Sequence, residues 1–244
     1  QRIEIEARVW ALLKHPRILQ FLGIQRIGEE IYFVSAFAEN GSLPGFLNRG
    51  PEVDRGRLVI EIAEGLAYLH QCGIIHGDLK GNNILISGRE HVLLCDFGLA
   101  KHVTSHTSTS LRGMGSIPWQ SPEILQDTCR RTFGSDVYAF GITVYEVLSG
   151  KPPYSHHTGI VSIITGVVFS GERPPREPAV APNGSSYLKF WEEASMCWAE
   201  DSALRPCIID VLKRLDRRRA ENLVTCQQFS LEDTLVQPAR NPST

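Results

Sequence analysis

The sequence predicts an α+β chain in which one helix and a β-hairpin precede a body made mostly of helices. Three observations predict it. Apolar residues recur at helical spacing at the start of the chain and again through most of it after residue 57. Two alternating, β-rich runs stand between those regions, joined by Gly-Glu-Glu. Short apolar runs bounded by polar bends interrupt the helical part only around residues 73–98.

Residues 3–14, IEIEARVWALLK, carry Ile5, Val9, Leu12 and Leu13 at helical spacing and stop before His15-Pro16. ILQFLGIQRI and EIYFVSAFA then read as the hairpin. ENGSLPGFL starts a short helix, with Ser42 as its N-cap and Pro44 in its first turn. RLVIEIAEGLAYLHQCG is an amphipathic helix closed by Gly73. Short strands follow around GIIH, NILIS and HVLLCDFG. Residues 101–118, rich in Ser, Thr and Gly, have no period and read as a loop. SDVYAFGITVYEVLSG, GIVSIITGVVF, SYLKFWEEASMCW and IIDVLKRLDRRR are predicted helices, and SGERPPREPAVAPNGSS is a connector. The tail from about residue 225 has no clear period and reads as loosely held.

At 244 residues, folding removes roughly 70–75% of the unfolded chain's surface from water, so a large core needs no staples. A net charge of −2 gives no sign of a nucleic-acid or membrane surface binder, and the most apolar stretches are too short to span a bilayer. Cys72, Cys95, Cys129, Cys197, Cys207 and Cys226 lack C-x-x-C spacing; they read as reduced, buried thiols of a cytoplasmic protein, not a disulfide frame or zinc site. Gln1 in place of a start Met suggests a piece of something longer.

The chemistry concentrates in GIIHGDLKGNNILI, residues 73–86. Asp78 suits a proton acceptor, Asn83 offers a carbonyl oxygen to a cation, and Lys80 supplies a point charge for a phosphate. Ten residues on, Asp96 ends a buried strand with Gly98 two residues later, a natural Mg²⁺ ligand because hard cations take carboxylate oxygen on a turning backbone. Two oxygen ligands, a base and a lysine make the acceptor side of phosphoryl transfer.

At these residues the sequence resembles eukaryotic protein kinases, from residue 3 to about 215. HGDLKGNN is similar to the catalytic loop H-R-D-L-x-x-x-N, and DFG stands unchanged. GSIPWQSPE, SDVYAFG and CWAEDSALRP resemble the end of the activation segment, the helix anchoring the catalytic loop, and the late Arg segment. KHP, CW…RP and the Trp before Ser-Pro-Glu resemble the tyrosine-kinase-like branch of Ser/Thr kinases. The resemblance implies a protein-kinase-like fold: residues 1–38 a partial small lobe of one helix and a hairpin, 39–220 a large lobe, 221–244 a loose tail. It implies ATP and Mg²⁺ as cofactors and a protein substrate, with no nucleic acid and no membrane. Asp78 would take the proton of the substrate hydroxyl, Asn83 and Asp96 would hold Mg²⁺, and Lys80 would steady the transferred phosphate, the Ser/Thr-kinase choice. Glu6 would pair with the ATP-binding Lys, Ser35 would be gatekeeper, and Ala36, Phe37 and Ala38 the hinge meeting adenine. Glu123 and Arg205 would pair, and Asp136 would hold the loop backbone.

Departures from the pattern qualify this. Neither a Gly-rich loop nor a V-A-I-K Lys occurs, so this chain alone is expected to bind ATP poorly, and its open hairpin edge invites association. Gly77 stands where H-R-D has Arg, which weakens any answer to phosphate on Thr104, Ser105, Thr107, Ser108, Thr109 or Ser110. Gln120 and Ser121 alter the substrate-side motif. Three functions therefore stand side by side: a Ser/Thr kinase of which this is an N-terminally truncated piece, a pseudokinase-like scaffold for protein partners, and a tyrosine-directed kinase. Blander readings also stay open. Asp78 and Asp96 can be turn formers, Glu6 dipole compensation, Cys95 a buried strand residue or a reactive thiol. His156-His157 reads as a solvated loop, and residues 213–219, KRLDRRR, as a solvated face or a basic docking site.

Overall fold

The computed structural model describes residues 2–50, 52–103, 115–176 and 186–223, with backbone only for 2–5. Helix α1 (Arg2–Leu12) ends before His15-Pro16, as the Pro requires. Its buried residues are Ala7 and Trp10, with Leu13 just beyond, while Val9 and Leu12 are half-buried. The side chain of Ile5 lies outside the described residues. The face is set by Trp10: its ring lies 5.0 Å from Phe21 and 5.8 Å from Phe97, and its Nε1 donates to the Leu19 carbonyl at 2.7 Å.

Strands β1 (Phe21–Ile27) and β2 (Glu30–Ser35) form the antiparallel hairpin, Ile27 opposite Glu30 across a two-residue turn. Phe21 and Phe33 turn toward Trp10, whereas Leu22, Ile24, Ile27, Ile31, Tyr32 and Val34 are exposed. Helix α2 (Leu43–Leu47) has Pro44 in its first turn; Ser42 holds the cap position in extended backbone without a side-chain cap bond. Helix α3 (Arg55–Gln71) starts two residues before the predicted stretch because Asp54 caps it, Oδ1 accepting from Arg57 N–H at 3.0 Å.

Strands β3 (Ile74–Ile75), β4 (Ile84–Ile86) and β5 (Val92–Leu94) fall where the short apolar runs place them, β4 antiparallel to β5. The predicted loop at 101–118 contains structure: β6 (Lys101–His102) pairs with β3, and a 3₁₀ turn spans Ile117–Trp119. Both are too short to leave a period in sequence. The Ser/Thr positions 104–110 lie outside the described residues.

Helices α4 (Pro122–Leu125), α5 (Phe133–Ser149), α6 (Ile160–Phe169), α7 (Leu188–Cys197), α8 (Ile208–Leu215) and α9 (Arg217–Glu221) complete the body. The stretch predicted as one helix from 208 to 219 is two, because Asp216 takes extended backbone and caps α9, accepting from Arg219 N–H at 3.2 Å. Helix α5 is buried nearly all round, as expected of a helix apolar on every face. A Thr132–Ser135 capping box starts it, worth about 1 kcal/mol. Helices α3 and α7 pack against it, and α8 packs against α3 and α7, its buried residues being Ile208, Val211, Leu212 and Leu215.

The cysteine reading is corrected in two respects. Cys72 is disulfide-bonded, and Cys129 and Cys207 are exposed free thiols; only Cys95 and Cys197 are free and buried among the described residues. Cys226 lies outside them. Burial, aided by Asp96, pushes the Cys95 thiol up to about 12, which favours the strand-residue reading over a reactive thiol. The basic run at 213–219 is paired: Arg214 with Glu193, Arg217 with Glu221, Arg219 with Glu64. No helix among the described residues is long and apolar enough to cross a membrane.

Candidate active site

The bend between β3 and β4 is pinned to α5 at two points. Asp136 accepts from the backbone N–H of His76 at 2.8 Å and of Gly77 at 2.9 Å, with His70 Nε2 3.0 Å away. Almost three turns on, Glu146 accepts from Gly81 N–H at 2.9 Å and Trp119 Nε1 at 3.2 Å. Burial pushes the Glu146 carboxyl up, against the pull of those donors and Lys80. A polar bend is thereby carried on a rigid helix, which holds side chains more closely than a free loop can.

On that bend the carboxylate of Asp78 gathers donors. Lys80 Nζ reaches Oδ2 at 2.8 Å, Asn83 Nδ2 reaches it at 3.1 Å, and Ser116 N–H donates to Oδ1 at 3.0 Å. Lys80 also donates to Ser116 Oγ at 2.6 Å, and Asn83 Nδ2 to the Asp78 carbonyl at 2.8 Å. With its nitrogen committed to Asp78, Asn83 has its oxygen end to offer a cation.

Asp96 stands next to this group through the backbone. Cys95 N–H donates to the Asn83 carbonyl at 3.0 Å, and the Cys95 carbonyl lies 3.2 Å from Nε2 of fully buried His76. His76 Nδ1 accepts from Asp78 N–H at 3.3 Å, so the ring bridges the two acidic positions as a neutral donor–acceptor. Burial holds its pKa below the usual value, against Asp136, Asp78 and Asp96. Asp96 itself is exposed, with left-handed backbone at φ 62°. A Cβ on Gly98 would lie 3.3 Å from Asp96 Oδ1 and 3.5 Å from Glu6 Oε2, so α1 brings the Glu6 carboxylate to the same corner. Phe97, buried between Trp10 and His76 at 5.8 and 5.6 Å, ties α1 to the bend.

The structure thus brings Asp78, Lys80 and Asn83 into one bonded cluster and sets Asp96 and Glu6 beside one another. Ser35, Ala36, Phe37 and Ala38 lie where β2 leaves the hairpin; Ala36 N–H donates to the Gln20 carbonyl, the Ala38 carbonyl accepts from Gly41 N–H, and Ser35 Oγ donates to the Ala36 carbonyl. Phe37 is exposed and Ala38 buried. Ser121 starts α4, and Glu123 meets Arg205 in two bonds of 2.7 and 2.8 Å.

Sequence reading missed three contributors. Ser116 closes the Asp78–Lys80 pair from a stretch read only as loop. Glu146 supports the bend but passes for an incidental residue of a helix that is apolar on every face; a carboxylate inside an otherwise apolar run was the signal. Arg131 Nε donates to the Gly77 carbonyl at 2.9 Å, which brings its side chain against the bend. Gly77 has φ +82°, and a Cβ there would lie 2.8 Å from the Leu99 carbonyl oxygen and 2.9 Å from Arg131 Cδ. Packing therefore demands Gly at this position.

Residues 1–215 match the family model for the protein tyrosine and serine/threonine kinase. The chain is 29% identical over 239 residues, 96% of its length, to cytokinesis protein sepH of Aspergillus niger, covering 17% of that protein. It is 29% identical over 218 residues, 87% of its length, to serine/threonine-protein kinase STY17 of Arabidopsis thaliana, covering 36% of it. Over 228 residues, 86% of its length, it is 32% identical to the mouse proto-oncogene tyrosine-protein kinase ROS, covering 9% of it. The chain thus spans well under half the length of these relatives.

Proposed function

The chain belongs to the protein tyrosine and serine/threonine kinase family, and on that premise we propose that it transfers the γ-phosphoryl group of ATP, with Mg²⁺, to Ser or Thr hydroxyls of a protein. The observation that carries this reading is the Asp78 carboxylate held at once by Lys80, Asn83 and Ser116. The donor set fits the cofactor. The Asn83 amide oxygen and the exposed Asp96 carboxylate are the hard oxygen ligands Mg²⁺ takes. Bound Mg²⁺–ATP would supply the phosphoryl group and neutralise its charge. Asp78 would orient the substrate hydroxyl and accept its proton at a carboxylate oxygen. Lys80 would place its ammonium beside the transferred phosphate, moving from its present contact with Asp78. His76 would keep Asp78 and Cys95 in register. Ser35, Ala36, Phe37 and Ala38 would meet adenine, and Glu6 would pair with an ATP-binding Lys.

As part of the same proposal, residues 1–38 form small-lobe structure and 39–220 the large lobe; the tail expected at 221–244 lies, from residue 224 on, outside the described residues. A cytoplasmic location is supported by the free thiols of Cys95, Cys129, Cys197 and Cys207 and opposed by the disulfide at Cys72. Lys80 is the ground for Ser/Thr over Tyr. Phosphoamino-acid analysis of peptides labelled by the full-length protein tests this choice: phosphoserine or phosphothreonine is expected, and phosphotyrosine alone would move the protein to the tyrosine-directed class.

A second reading has its own observation. Leu22, Ile24, Ile27, Ile31, Tyr32 and Val34 leave an apolar hairpin uncovered, and such surfaces mark contact sites. A catalytically impaired scaffold, or one pairing with itself along the hairpin edge, would use it. Concentration-dependent association abolished by Ile24→Lys, with no phosphoryl transfer by the full-length protein, would favour this reading over the enzyme.

A further inference from the structure

We propose that His156, His157 and Glu172 form a binding site for a transition-metal dication of the Zn²⁺ class, stapling the connection between α5 and α6 to the segment that follows α6. The site lies apart from the Asp78 cluster and is independent of the kinase reading. His156 Nε2 lies 2.8 Å from Glu172 Oε1, and His157 Nε2 lies 3.0 and 2.9 Å from Oε1 and Oε2. One ligand atom from each residue falls within 4.8 Å of the others. Two imidazole nitrogens and a carboxylate are the borderline donor set Zn²⁺ prefers, and three protein ligands leave a fourth position for water. Bonds of about 2.0–2.1 Å put tetrahedral ligand atoms about 3.3 Å apart, so each imidazole–carboxylate contact need open by only a few tenths of an ångström.

The supports of these side chains are already ordered. His157 N–H donates to the Tyr154 carbonyl at 3.0 Å, and Tyr154 is buried. Glu172 N–H donates to the Gly166 carbonyl at 2.9 Å. A Cβ on Gly166 would lie 2.2 Å from Glu172 Oε2, so the carboxylate takes its place only because that residue of α6 is Gly. A cleft of about 660 Å³ lined by His157, Ser162, Thr165, Ser170 and Glu172 opens beside them and gives a path for ion and water. On binding, the single proton of each neutral imidazole sits on Nδ1 and Nε2 gives its lone pair to the metal; a ring protonated at both nitrogens must first release its Nε2 proton to solvent. Protonated rings compete with the ion, so affinity falls in acid.

A bare hydrogen-bonded surface cluster makes the same contacts without metal, and titration separates the two. Chelator-stripped full chain is titrated calorimetrically with ZnCl₂, and with Co²⁺ as an absorbing probe of tetrahedral geometry. One saturable site is expected, weakened about 100-fold or more in His157→Ala and Glu172→Gln, since even outer-shell partners are worth 10–100-fold. Binding unchanged in a Cys129→Ser/Cys207→Ser variant excludes the exposed thiols as its source. Melting temperatures in chelator confirm that each variant is folded. No saturable binding, or His157→Ala and Glu172→Gln binding as tightly as the parent, overturns the proposal.

Discussion

The guanidinium of Arg205 grips the carboxylate of Glu123 across 82 residues of sequence, with paired bonds of 2.7 and 2.8 Å. The Arg205 side chain is fully buried and also donates to the carbonyls of Ala199, Gly134 and Glu200. The pair thus fixes α4 against the first turn of α5 and the turn before α8.

Breaking that pair strands a buried cation, so Glu123→Gln should cost about 3–5 kcal/mol in denaturant unfolding. Burial raises the Glu123 carboxyl, but the Arg205 bonds outweigh it and hold the folded value below the ordinary 4.5. A depressed carboxylate contributes stability above its unfolded value and loses it as pH falls through the folded one. The gap between parent and variant should therefore be full at neutral pH and close in acid below 4.5. A gap that stays constant down to complete acid unfolding would contradict the pairing.

Restoring the family's Arg in Gly77→Arg should damage the protein instead of repairing it. The φ of +82° costs a side chain roughly 1–2 kcal/mol, and the Cβ meets the Leu99 carbonyl and Arg131. Adding Arg131→Ala should recover only the part of the loss that Arg131 causes. Thermal melts of the single and double variants measure this; a Gly77→Arg protein as stable as the parent would refute the packing argument.

His76 is buried and held neutral, so the unfolded chain binds its proton first as pH drops below 6.5. Stability should fall with pH there, by at most about 1.4 kcal/mol per unit for one proton. His15, lowered to about 4 mainly by burial, adds to the same window. In His76→Leu the slope should lose the His76 share and keep that of His15. Equal slopes for parent and variant, from denaturant titrations at successive pH values, would place a charged imidazole at this position.

Most of this architecture was legible because burial follows period: α3, α5 and the hairpin announce themselves through apolar spacing. The residues of the Asp78 cluster were legible for another reason, since polar side chains between two apolar strands need partners. What stayed hidden depends on distance in space. Nothing local marks Ser116 as the third member of the Asp78–Lys80 group, or Glu172 as the partner of His156 and His157, which had read as solvated. Trp10 did not stand out in the apolar spacing of α1 although its ring anchors the buried face, and the break at Asp216 was hidden because a capping Asp resembles an ordinary surface residue. The Cys72 disulfide had no spacing signal at all.

The most direct measurement of the central claim is rapid-quench transfer of the γ-phosphoryl group by full-length protein carrying Asp78→Asn, with Mg²⁺–ATP affinity measured separately. Loss of the proton acceptor should slow transfer by about 10²–10⁴-fold, while nucleotide affinity stays within a few fold of the parent. Transfer at the parental rate would remove Asp78 from the chemistry and, with it, the role proposed for the cluster.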